Sequence, residues 1–494
     1  MKYSNPVIKG CFPDPSICKA EGKYYLAASS FQFFPGVPIF ESDDLVNWKL
    51  IGHALTRKSQ LPLEGTNSCT GIYAPTLRYH EGRFYMVTTN TTTGGNFYVW
   101  TDNIYGEWSE PLFVEQGGID PSLYFENGKT YFMSNGSDDE GLAGIIQCEI
   151  DLATGKKLTP GRSIWTGCGG RFLESPHLYK INGTYYLMAS EGGTEYGHMC
   201  VLAKGESPYG PFESCPHNPI LTNRNKGGYQ LQGAGHCDIV EDNNGNWWLV
   251  NLAFRQIGMW TMHHVTGREV CLCPVEFDED GWFKVGKNGE CLEEFETDKL
   301  DTIQKKPADI TFADRLQWIH LRNPKPESYE LTDESFTLSP NEYALEERTL
   351  SPTFIGIRQS ALKQFISVDI DVTDCEGGIS LYMTEDQHYD LAVRQTEKGF
   401  ELFRRLRVGD LCQEDNVTEL ESGRITLNVT ADEHVYLFEA ECNGRCFHLG
   451  TAQSKYLSTE LAGNFTGVLA GLYAQNGKGK AVFTKFRSED LDKG

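Results

Sequence analysis

Short runs of alternating apolar and polar residues cover the chain, and five of them share one pattern. The five runs begin at residues 14, 74, 120, 175 and 236 and read DPSICKAEGKYY, APTLRYHEGRFY, DPSLYFENGKTY, SPHLYKINGTYY and HCDIVEDNNGNWW. In each, an alternating run is followed by a turn containing glycine and by an aromatic pair that opens a second run. Glycine supplies the positive φ that a tight hairpin turn requires. The pattern therefore predicts five antiparallel hairpins.

The spacing of these hairpins predicts the architecture. The turn glycine recurs with periods of 60, 46, 55 and 62 residues, at Gly22, Gly82, Gly128, Gly183 and Gly245. Such a period accommodates four strands, the content of one β-propeller blade. A weaker repeat is predicted to form the outer half of a blade, at residues 42–48, 101–108 and 204–212. We predict a five-bladed β-propeller over residues 1–298.

The remainder of the chain predicts a second all-β domain. Residues 299–310 are polar and are predicted to form a linker. Beyond them, alternating strands are predicted at residues 365–372, 378–383, 389–395, 400–406, 434–440 and 467–474. Short strands separated by regular turns favour a β-sandwich over residues 311–494. Two domains also agree with a length of 494 residues.

Charge and cysteine content restrict the partners and the compartment. The net charge is −24, which disfavours binding to nucleic acid or to anionic membranes and suits a neutral ligand. Neither a signal peptide nor a membrane-spanning run is recognised. The 15 cysteines have no metal-binding spacing and are interpreted as reduced thiols of a cytoplasmic protein. Homo-oligomer formation is left open.

The repeats also bring acidic residues together. The innermost strands of the blades surround one axis, so the residues that precede the repeated proline form a ring, namely Asp14, Ala74, Asp120, Ser175 and His236. Glu174 lies one residue before this position in the fourth repeat. Hydrolysis of a glycosidic bond needs one protonated and one ionised carboxyl group, and a third carboxylate can raise the pKa of the acid. The ring supplies all three.

Two alternatives without hydrolysis fit a propeller. An aspartate before proline commonly starts a turn, so each aspartate could be structural. A sugar-binding propeller without catalysis would need no axial carboxylates. Binding sites in such propellers usually repeat in every blade, whereas Ala74 interrupts this ring. A propeller phosphorylase would need a basic site for phosphate. The carboxylate ring therefore favours a hydrolase.

Longer sequence strings carry a family resemblance. They include NPVIKGCFPDPSIC, SSFQFFPGVPIFESDDLVNW, GGIDPSLYF, ESPHLYKINGTYYL and HHVTGREVCLCPVEFDEDGW. The chain resembles glycoside hydrolase family 43, in the branch of β-xylosidases and α-L-arabinofuranosidases. The strings SPTFIGIRQ and GVLAGLYAQ resemble the concanavalin-like sandwich of its two-domain members. Such relatives close the pocket with a loop of the sandwich, whose closing residue is not identified from this sequence.

The resemblance implies a role for individual residues. Asp14 matches the general base, Glu174 the general acid, and Asp120 the carboxylate that tunes and orients the acid. Arg268 matches an arginine that binds sugar hydroxyls. His236 matches an axial histidine that in some members helps to hold calcium or water in the channel. No cofactor is expected to be required, and a structural calcium ion in the propeller channel is left open.

Three further pocket residues are expected. Phe31 and Thr194 lie in strings that match pocket-lining segments, and Tyr73 stands where many relatives have tryptophan. Packing in the core is an equal alternative for Phe31 and Tyr73. The resemblance implies an inverting exo-glycosidase that removes terminal xylose from β-1,4-xylo-oligosaccharides, with arabinofuranosidase side activity. The main alternative is an α-L-arabinofuranosidase that debranches arabinoxylan or arabinan oligosaccharides, and the remote alternative is the sugar-binding propeller.

Overall fold

The computed structural model describes residues 1–492 and shows an all-β protein. Five four-stranded antiparallel sheets form a propeller, and two larger sheets form a sandwich after it. This confirms the predicted fold class. The one α-helix in the described residues is a single turn, Thr459–Ala462 (α1), so no helix there resembles a membrane span.

Each blade is a meander in which the innermost strand comes first. Strand β1 (Lys2–Ser4) precedes the blades. Blade one contains β2 (Ser16–Ala20), β3 (Lys23–Ala27), β5 (Gly36–Ser42) and β6 (Lys49–Leu55), with β4 (Phe33–Phe34) between β3 and β5. Blade two contains β7 (Thr76–His80), β8 (Arg83–Thr89), β9 (Asn96–Thr101) and β10 (Leu112–Val114). Blade three contains β11 (Ser122–Glu126), β12 (Lys129–Ser137), β13 (Ala143–Ile150) and β14 (Arg162–Trp165).

The last two blades follow the same order. Blade four contains β15 (Glu174–Ile181), β16 (Thr184–Glu191), β17 (Met199–Gly205) and β18 (Glu213–Ser214). Blade five contains β19 (Leu231–Glu241), β20 (Trp247–Arg255), β21 (Glu269–Phe277) and β22 (Phe283–Val285). The five predicted hairpins are therefore the two inner strands of the five blades. The weaker repeat lies mainly between the third and fourth strands of blades one, two and four, as predicted.

The turn chemistry explains why these hairpins form. In the turn of blade one, Glu21 and Gly22 have φ of 51° and 82°, and in that of blade three Asn127 and Gly128 have φ of 52° and 73°. Positive φ at both central residues defines the type I′ turn, whose twist matches that of the flanking strands. Glycine adopts this conformation without a steric penalty, which is why it recurs at the second position.

The ends of the propeller are joined by the N-terminal segment. Strand β1 pairs antiparallel with β23 (Glu294–Glu296), which follows blade five. The amide of Val7 donates to the carbonyl of Val270 in β21 at 2.8 Å, so this segment runs along the last blade before it enters the first. Backbone hydrogen bonds of this segment therefore link the last blade to the start of the first.

A buried carboxylate on β19 ties the inner strands together around the axis. Asp238 accepts hydrogen bonds from Ser16 Oγ on β2 at 2.6 Å, from Arg78 Nη1 on β7 at 2.7 Å and from Tyr179 Oη on β15 at 2.5 Å. Burial alone would raise the pKa of Asp238, but the charge of Arg78 and the hydrogen bonds from Arg78 and Ser16 together lower the pKa to about 2. This ionised group links four of the five blades.

The second domain is a sandwich of two antiparallel sheets. Its strands are β24 (Ile319–Leu321), β25 (Tyr329–Leu331), β26 (Ser335–Leu338), β27 (Phe354–Arg358), β28 (Gln364–Thr373), β29 (Glu376–Thr384), β30 (Gln387–Thr396), β31 (Gly399–Val408), β32 (Leu411–Leu420), β33 (Arg424–Ala431), β34 (Val435–Cys442), β35 (Arg445–Gln453), β36 (Leu469–Gln475) and β37 (Lys480–Asp490). One sheet has the order β32-β31-β30-β29-β36-β27-β24-β4 and the other the order β25-β26-β37-β28-β33-β34-β35. The 3-10 turns are Arg315–Gln317, Pro326–Ser328 and Ser454–Leu457. The six strands predicted here all form.

The sandwich is attached to the propeller beside the axial ring. Strand β24 pairs with β4 of blade one, with Leu321 opposite Phe33. The next residue, Arg322, is 1% exposed, and its amide donates to the carbonyl of Gln32 at 2.8 Å. The loop that carries Phe31 is therefore held by backbone bonds from the second domain. Alternation within the sequence could not predict a strand shared between domains. The boundaries at residues 298 and 311 stay a prediction.

The cysteine interpretation is wrong in one respect. Cys200 on β17 and Cys237 on β19 form a disulfide, although the other 13 cysteines are free thiols. The two residues are 37 positions apart in the sequence, and only the packing of blade four against blade five brings them together. A cytoplasmic location, which was inferred in part from reduced cysteines, stays a prediction.

Candidate active site

Four of the five repeat positions around the axis share one unusual backbone conformation. Asp14, Asp120, Ser175 and His236 have φ of 58°, 53°, 59° and 48°, respectively. Residues other than glycine rarely adopt the left-handed region, and its use at equivalent positions of a repeat indicates one conserved turn geometry within this chain. In blades one and three this residue lies two positions before the innermost strand, and in blades four and five it lies within that strand at a register shift. Residues that are aligned by the sequence repeat therefore share one backbone conformation.

Asp14 is buried and bound by positive and neutral donors. Arg268 Nη1 donates to its Oδ1 at 2.8 Å, and Ser29 Oγ donates to its Oδ2. His236 Nδ1 lies 3.6 Å from the same Oδ1. Burial alone would raise the pKa of Asp14, but the charge of Arg268 and the bond from Ser29 outweigh it, and the pKa lies below its ordinary value. Asp14 is therefore ionised at neutral pH.

Glu174 has the opposite electrostatic environment. It opens β15, its side chain is 17% exposed, and the nearest imidazole nitrogen, Nε2 of His198, is 3.9 Å from its Oε1. Burial, and then the negative charge of Asp14, raise the pKa of Glu174 to about 7. A protonated carboxyl group is therefore available near neutrality. The pKa of Asp14 is lowered and that of Glu174 is raised, as expected for a general base and a general acid in one site.

Asp120 is the third carboxyl group of the ring. Burial, Glu174 and Asp14, in that order, raise the pKa of Asp120 well above its usual range. Asp120 and Glu174 are coupled by their charges, so the two groups titrate as a pair. The amide of Ser175 donates to Asp120 Oδ2 at 3.2 Å, which lowers the pKa of Asp120 but does not outweigh burial and the two neighbouring charges.

Arg268 connects this ring to an aromatic wall. Its guanidinium carbon lies 5.7 Å from the ring centres of both Phe31 and Phe465, and its Nη1 also donates to Thr194 Oγ1 at 2.8 Å. Phe31 contacts the ring of Tyr73 at 5.7 Å and stacks on Phe465 at 6.3 Å. Aromatic faces beside hydrogen-bonding groups are suited to bind the apolar face and the hydroxyls of a sugar.

The axial imidazoles are buried and neutral. Burial lowers the pKa of His236, and it lowers that of His198 to about 3. The amide of His236 donates to Ser190 Oγ at 2.8 Å. Within residues 1–492, no three His, Cys, Asp or Glu side chains are grouped so that they could hold a metal ion. A calcium ion at His236 stays a prediction, and no step described below depends on it.

Comparison with known protein families identifies the family of this chain. The model of glycosyl hydrolases family 43 matches residues 3–283, and that of the β-xylosidase C-terminal concanavalin A-like domain matches residues 313–489. The chain belongs to glycoside hydrolase family 43. It is therefore a glycoside hydrolase, and the interpretation as a sugar-binding propeller without activity is not favoured.

Individual family 43 relatives span both domains. The chain is 39% identical to a non-reducing end α-L-arabinofuranosidase of Bacteroides ovatus, BoGH43B, over 97% of this chain and 92% of that protein. It is 35% identical to a xylosidase/arabinosidase of Butyrivibrio fibrisolvens, over 96% of each. Among solved structures, a xylan β-1,4-xylosidase of Bacillus halodurans superposes with a TM-score of 0.91 at 30% identity, covering 99% of this chain and 100% of that one.

The structure brings the sequence-predicted residues of this family 43 enzyme into one network. Close contacts link Asp14 to Arg268 and His236, Arg268 to Thr194 and Phe31, and Phe31 to Tyr73. Asp120 accepts a hydrogen bond from the amide of Ser175, the residue after Glu174, and the charge of Glu174 raises the pKa of Asp120. The catalytic and binding roles of these residues stay predictions. For Phe31 and Tyr73, the contact between the two rings shows packing, and their role as pocket lining stays a prediction.

Sequence reasoning missed the residue that the sandwich contributes. Phe465 lies between α1 and β36, its amide donates to Cys69 Sγ at 3.2 Å, and its carbonyl accepts from Arg268 Nη2 at 3.2 Å. Its position just before the predicted strand at 467–474 carries no repeat signal. Ser29 and His198 were missed as well, because both lie outside the repeated positions. Only the packing of distant segments identifies these three residues.

Proposed function

We propose that this enzyme is an inverting exo-glycosidase that releases terminal xylose from β-1,4-xylo-oligosaccharides and also cleaves terminal arabinofuranosides. The observation that carries the mechanism is the division of pKa values between Asp14 and Glu174. One carboxyl group is ionised by its bond with Arg268, and the other holds a proton near neutrality. This is the pair that direct displacement by water requires.

The chain's residues then have the following roles. Asp14 accepts a proton from the attacking water, whose oxygen bonds to the anomeric carbon. Glu174 donates its proton to the glycosidic oxygen as the bond to the leaving group breaks, so that charge balances across the step. Asp120 titrates together with Glu174, and whenever Asp120 is ionised its negative charge favours the protonated form of Glu174. Arg268 holds Asp14 in place and offers its remaining donor capacity to sugar hydroxyls.

The aromatic wall supports attack on a chain end. Phe31, Tyr73 and Phe465 contact one another beside Arg268, so the terminal sugar would lie against a wall built by both domains. The names of two relatives, a xylosidase/arabinosidase and a non-reducing end arabinofuranosidase, agree with a single terminal pentose in this space. The two pentoses offer similar hydroxyls to the same groups, which accounts for activity on both.

Matched nitrophenyl pentosides test the order of preference. We expect kcat/KM for p-nitrophenyl β-D-xylopyranoside to exceed that for p-nitrophenyl α-L-arabinofuranoside, and proton NMR of the first product to show α-xylose. A clear preference for the arabinoside would make the alternative function correct. Release of β-xylose would exclude inversion, and turnover that depends on phosphate would indicate a phosphorylase.

The pH dependence of kcat/KM should report both carboxyl groups. Activity needs Glu174 protonated, so kcat/KM falls as the pH rises through about 7. Activity also needs Asp14 ionised, and since the pKa of Asp14 is lowered, the acidic limb lies below the ordinary aspartate value of about 4. A pH series on the better pentoside measures both limbs.

The Asp120→Asn variant assigns the alkaline limb. Removal of this negative charge lowers the pKa of Glu174, so the alkaline limb of kcat/KM moves to lower pH. The Asp102→Asn variant, at the exposed pair with Arg83 in blade two, is the control and leaves both limbs in place. An alkaline limb that stays in place in Asp120→Asn would show that the two groups are not coupled.

A further inference from the structure

We infer that Glu460 is a positioning residue for hydrolysis, because this sandwich carboxylate binds two propeller loops that carry pocket residues and thereby holds Phe465 over the site. It is the first residue after Thr459 in α1 and lies five residues before Phe465. Within residues 1–492, the carboxylate of Glu460 binds Tyr196 and His264 and none of the three carboxyl groups of the ring. Its effect on the reaction would therefore pass through the loop that follows it.

Both carboxylate oxygens of Glu460 accept hydrogen bonds from propeller residues. Its Oε1 accepts from Tyr196 Oη at 3.0 Å and from His264 Nδ1 at 2.8 Å, and its Oε2 accepts from the amide of His264 at 3.0 Å. The side chain is only 28% exposed. Burial would raise the pKa of Glu460, but the bonds from His264 outweigh it and keep the pKa below its ordinary value. An ionised acceptor makes these bonds stronger than neutral ones.

The two propeller partners lie next to pocket residues in the sequence. Tyr196 follows Thr194 by two residues, in the loop between β16 and β17. His264 precedes Arg268 by four residues, in the loop between β20 and β21. Thr194 and Arg268 are themselves joined by a hydrogen bond of 2.8 Å. One carboxylate therefore connects the segments of Thr194, Arg268 and Phe465, which meet at the proposed position of the terminal sugar.

The partners of Glu460 are themselves rigidly placed. The His264 ring stacks on Phe254 of β20 with centres 4.0 Å apart and an interplanar angle of 15°. The Tyr196 ring meets the same Phe254 edge to face at 5.0 Å. Phe254 is 1% exposed and belongs to the second strand of blade five. The carboxylate thus binds groups fixed by the propeller core, as a positioning contact requires.

The loop needs such an anchor because its own structure is weak. Helix α1 has four residues, and a single helical turn has too few internal hydrogen bonds to be stable alone. The Ser458 side chain caps it, and Gly463 ends it in the left-handed conformation with φ of 64°. Backbone bonds from Thr459 to His264 at 3.3 Å and from Val468 to Val265 at 2.8 Å hold its ends. Between those ends, Glu460 supplies the side-chain anchor on the propeller.

The inference rests on the proposed function in one respect, namely that a terminal pentose lies against Phe465. The experiment uses whichever pentoside proves the better substrate, so an arabinoside preference would refute the proposed order without affecting this test. The variants are Glu460→Ala, Glu460→Gln and Tyr196→Phe, each made in the wild type and in a Phe465→Ala background. The measurements are kcat, KM and the melting temperature of the full chain.

We expect Glu460→Ala to lower kcat/KM about 10- to 100-fold, since three bonds to a charged group are lost. Glu460→Gln keeps the size of the side chain but turns one acceptor into a donor, and its loss should be smaller. Tyr196→Phe removes one hydroxyl and is the mildest variant, with a loss of about threefold. In the Phe465→Ala background, each loss should shrink to less than about twofold, because residues acting through one another are not additive.

Asp490→Asn provides the matched control. Asp490 of the sandwich binds Lys9 of the propeller at 3.2 Å, so this variant breaks an ion pair between the same two domains at another place. It should leave kcat/KM unchanged, whatever its effect on the melting temperature. Equal losses with and without Phe465, or losses in Asp490→Asn as large as in Glu460→Ala, would overturn the inference. If Glu460→Ala does not fold, Tyr196→Phe decides the question alone.

Discussion

Replacing Asp14 with Asn is expected to lower kcat by about 10^2- to 10^4-fold, the range that general acid–base groups contribute. Asparagine has the same shape and still accepts a hydrogen bond from Arg268, but it cannot take a proton from water. The loss should therefore appear in kcat more than in KM. Single-turnover kinetics on xylobiose and on the nitrophenyl xyloside measures it, and both substrates should be affected alike because the water attacks in each case.

The folded state of the Asp14→Asn variant needs a separate check. Its far-UV circular dichroism should match that of the wild type, and Asp102→Asn in blade two should keep wild-type kcat. If the Asp14→Asn variant retained more than about a tenth of the wild-type kcat, Asp14 could not be the general base. Asp14 would then be a structural partner of Arg268 and Ser29.

Replacing Glu174 with Gln is expected to produce a loss that depends on the leaving group. A sugar hydroxyl leaves poorly without a proton, so kcat/KM for xylobiose should fall about 10^2- to 10^4-fold. A dinitrophenyl group leaves as a stable anion, so the same variant should retain much of its kcat/KM on dinitrophenyl xyloside. The alkaline limb near pH 7 should disappear on that substrate, because its titrating group is gone.

The contrast between the two variants separates the acid from the base. Asp14→Asn should be equally slow on good and poor leaving groups, whereas Glu174→Gln should be slow only on poor ones. Should the two variants show the opposite pattern, the roles of Asp14 and Glu174 would be exchanged. The present assignment places the lowered pKa on Asp14 and the raised pKa on Glu174, and the leaving-group series tests that assignment directly.

Much of the fold could be predicted because its information is local. A hairpin is encoded within about a dozen residues by alternation, a turn glycine and an aromatic pair, and the five copies reinforce one another. The register of the repeat aligned Asp14, Asp120 and His236 at one position of the blade, and the three residues share a left-handed backbone conformation. The strands of the sandwich were predicted for the same local reason.

The shared strand, the disulfide and the closing residue could not be predicted in this way. Strand β4 pairs with β24 across almost 290 residues of chain, and Cys200 meets Cys237 only because blades four and five pack side by side. Phe465 reaches Phe31 from another domain. No periodicity in the sequence records such contacts, since each depends on how complete sheets and domains pack.

The sequence by itself determined the five blades, the sandwich and the ring of three carboxyl groups, because each follows from short-range patterns. The tertiary structure alone decided how those carboxyl groups differ. Arg268 lies 254 residues from Asp14 yet lowers its pKa, while burial near Asp14 raises that of Glu174. Charge and desolvation act through space, so chemically similar side chains acquire different proton affinities only once the chain has folded.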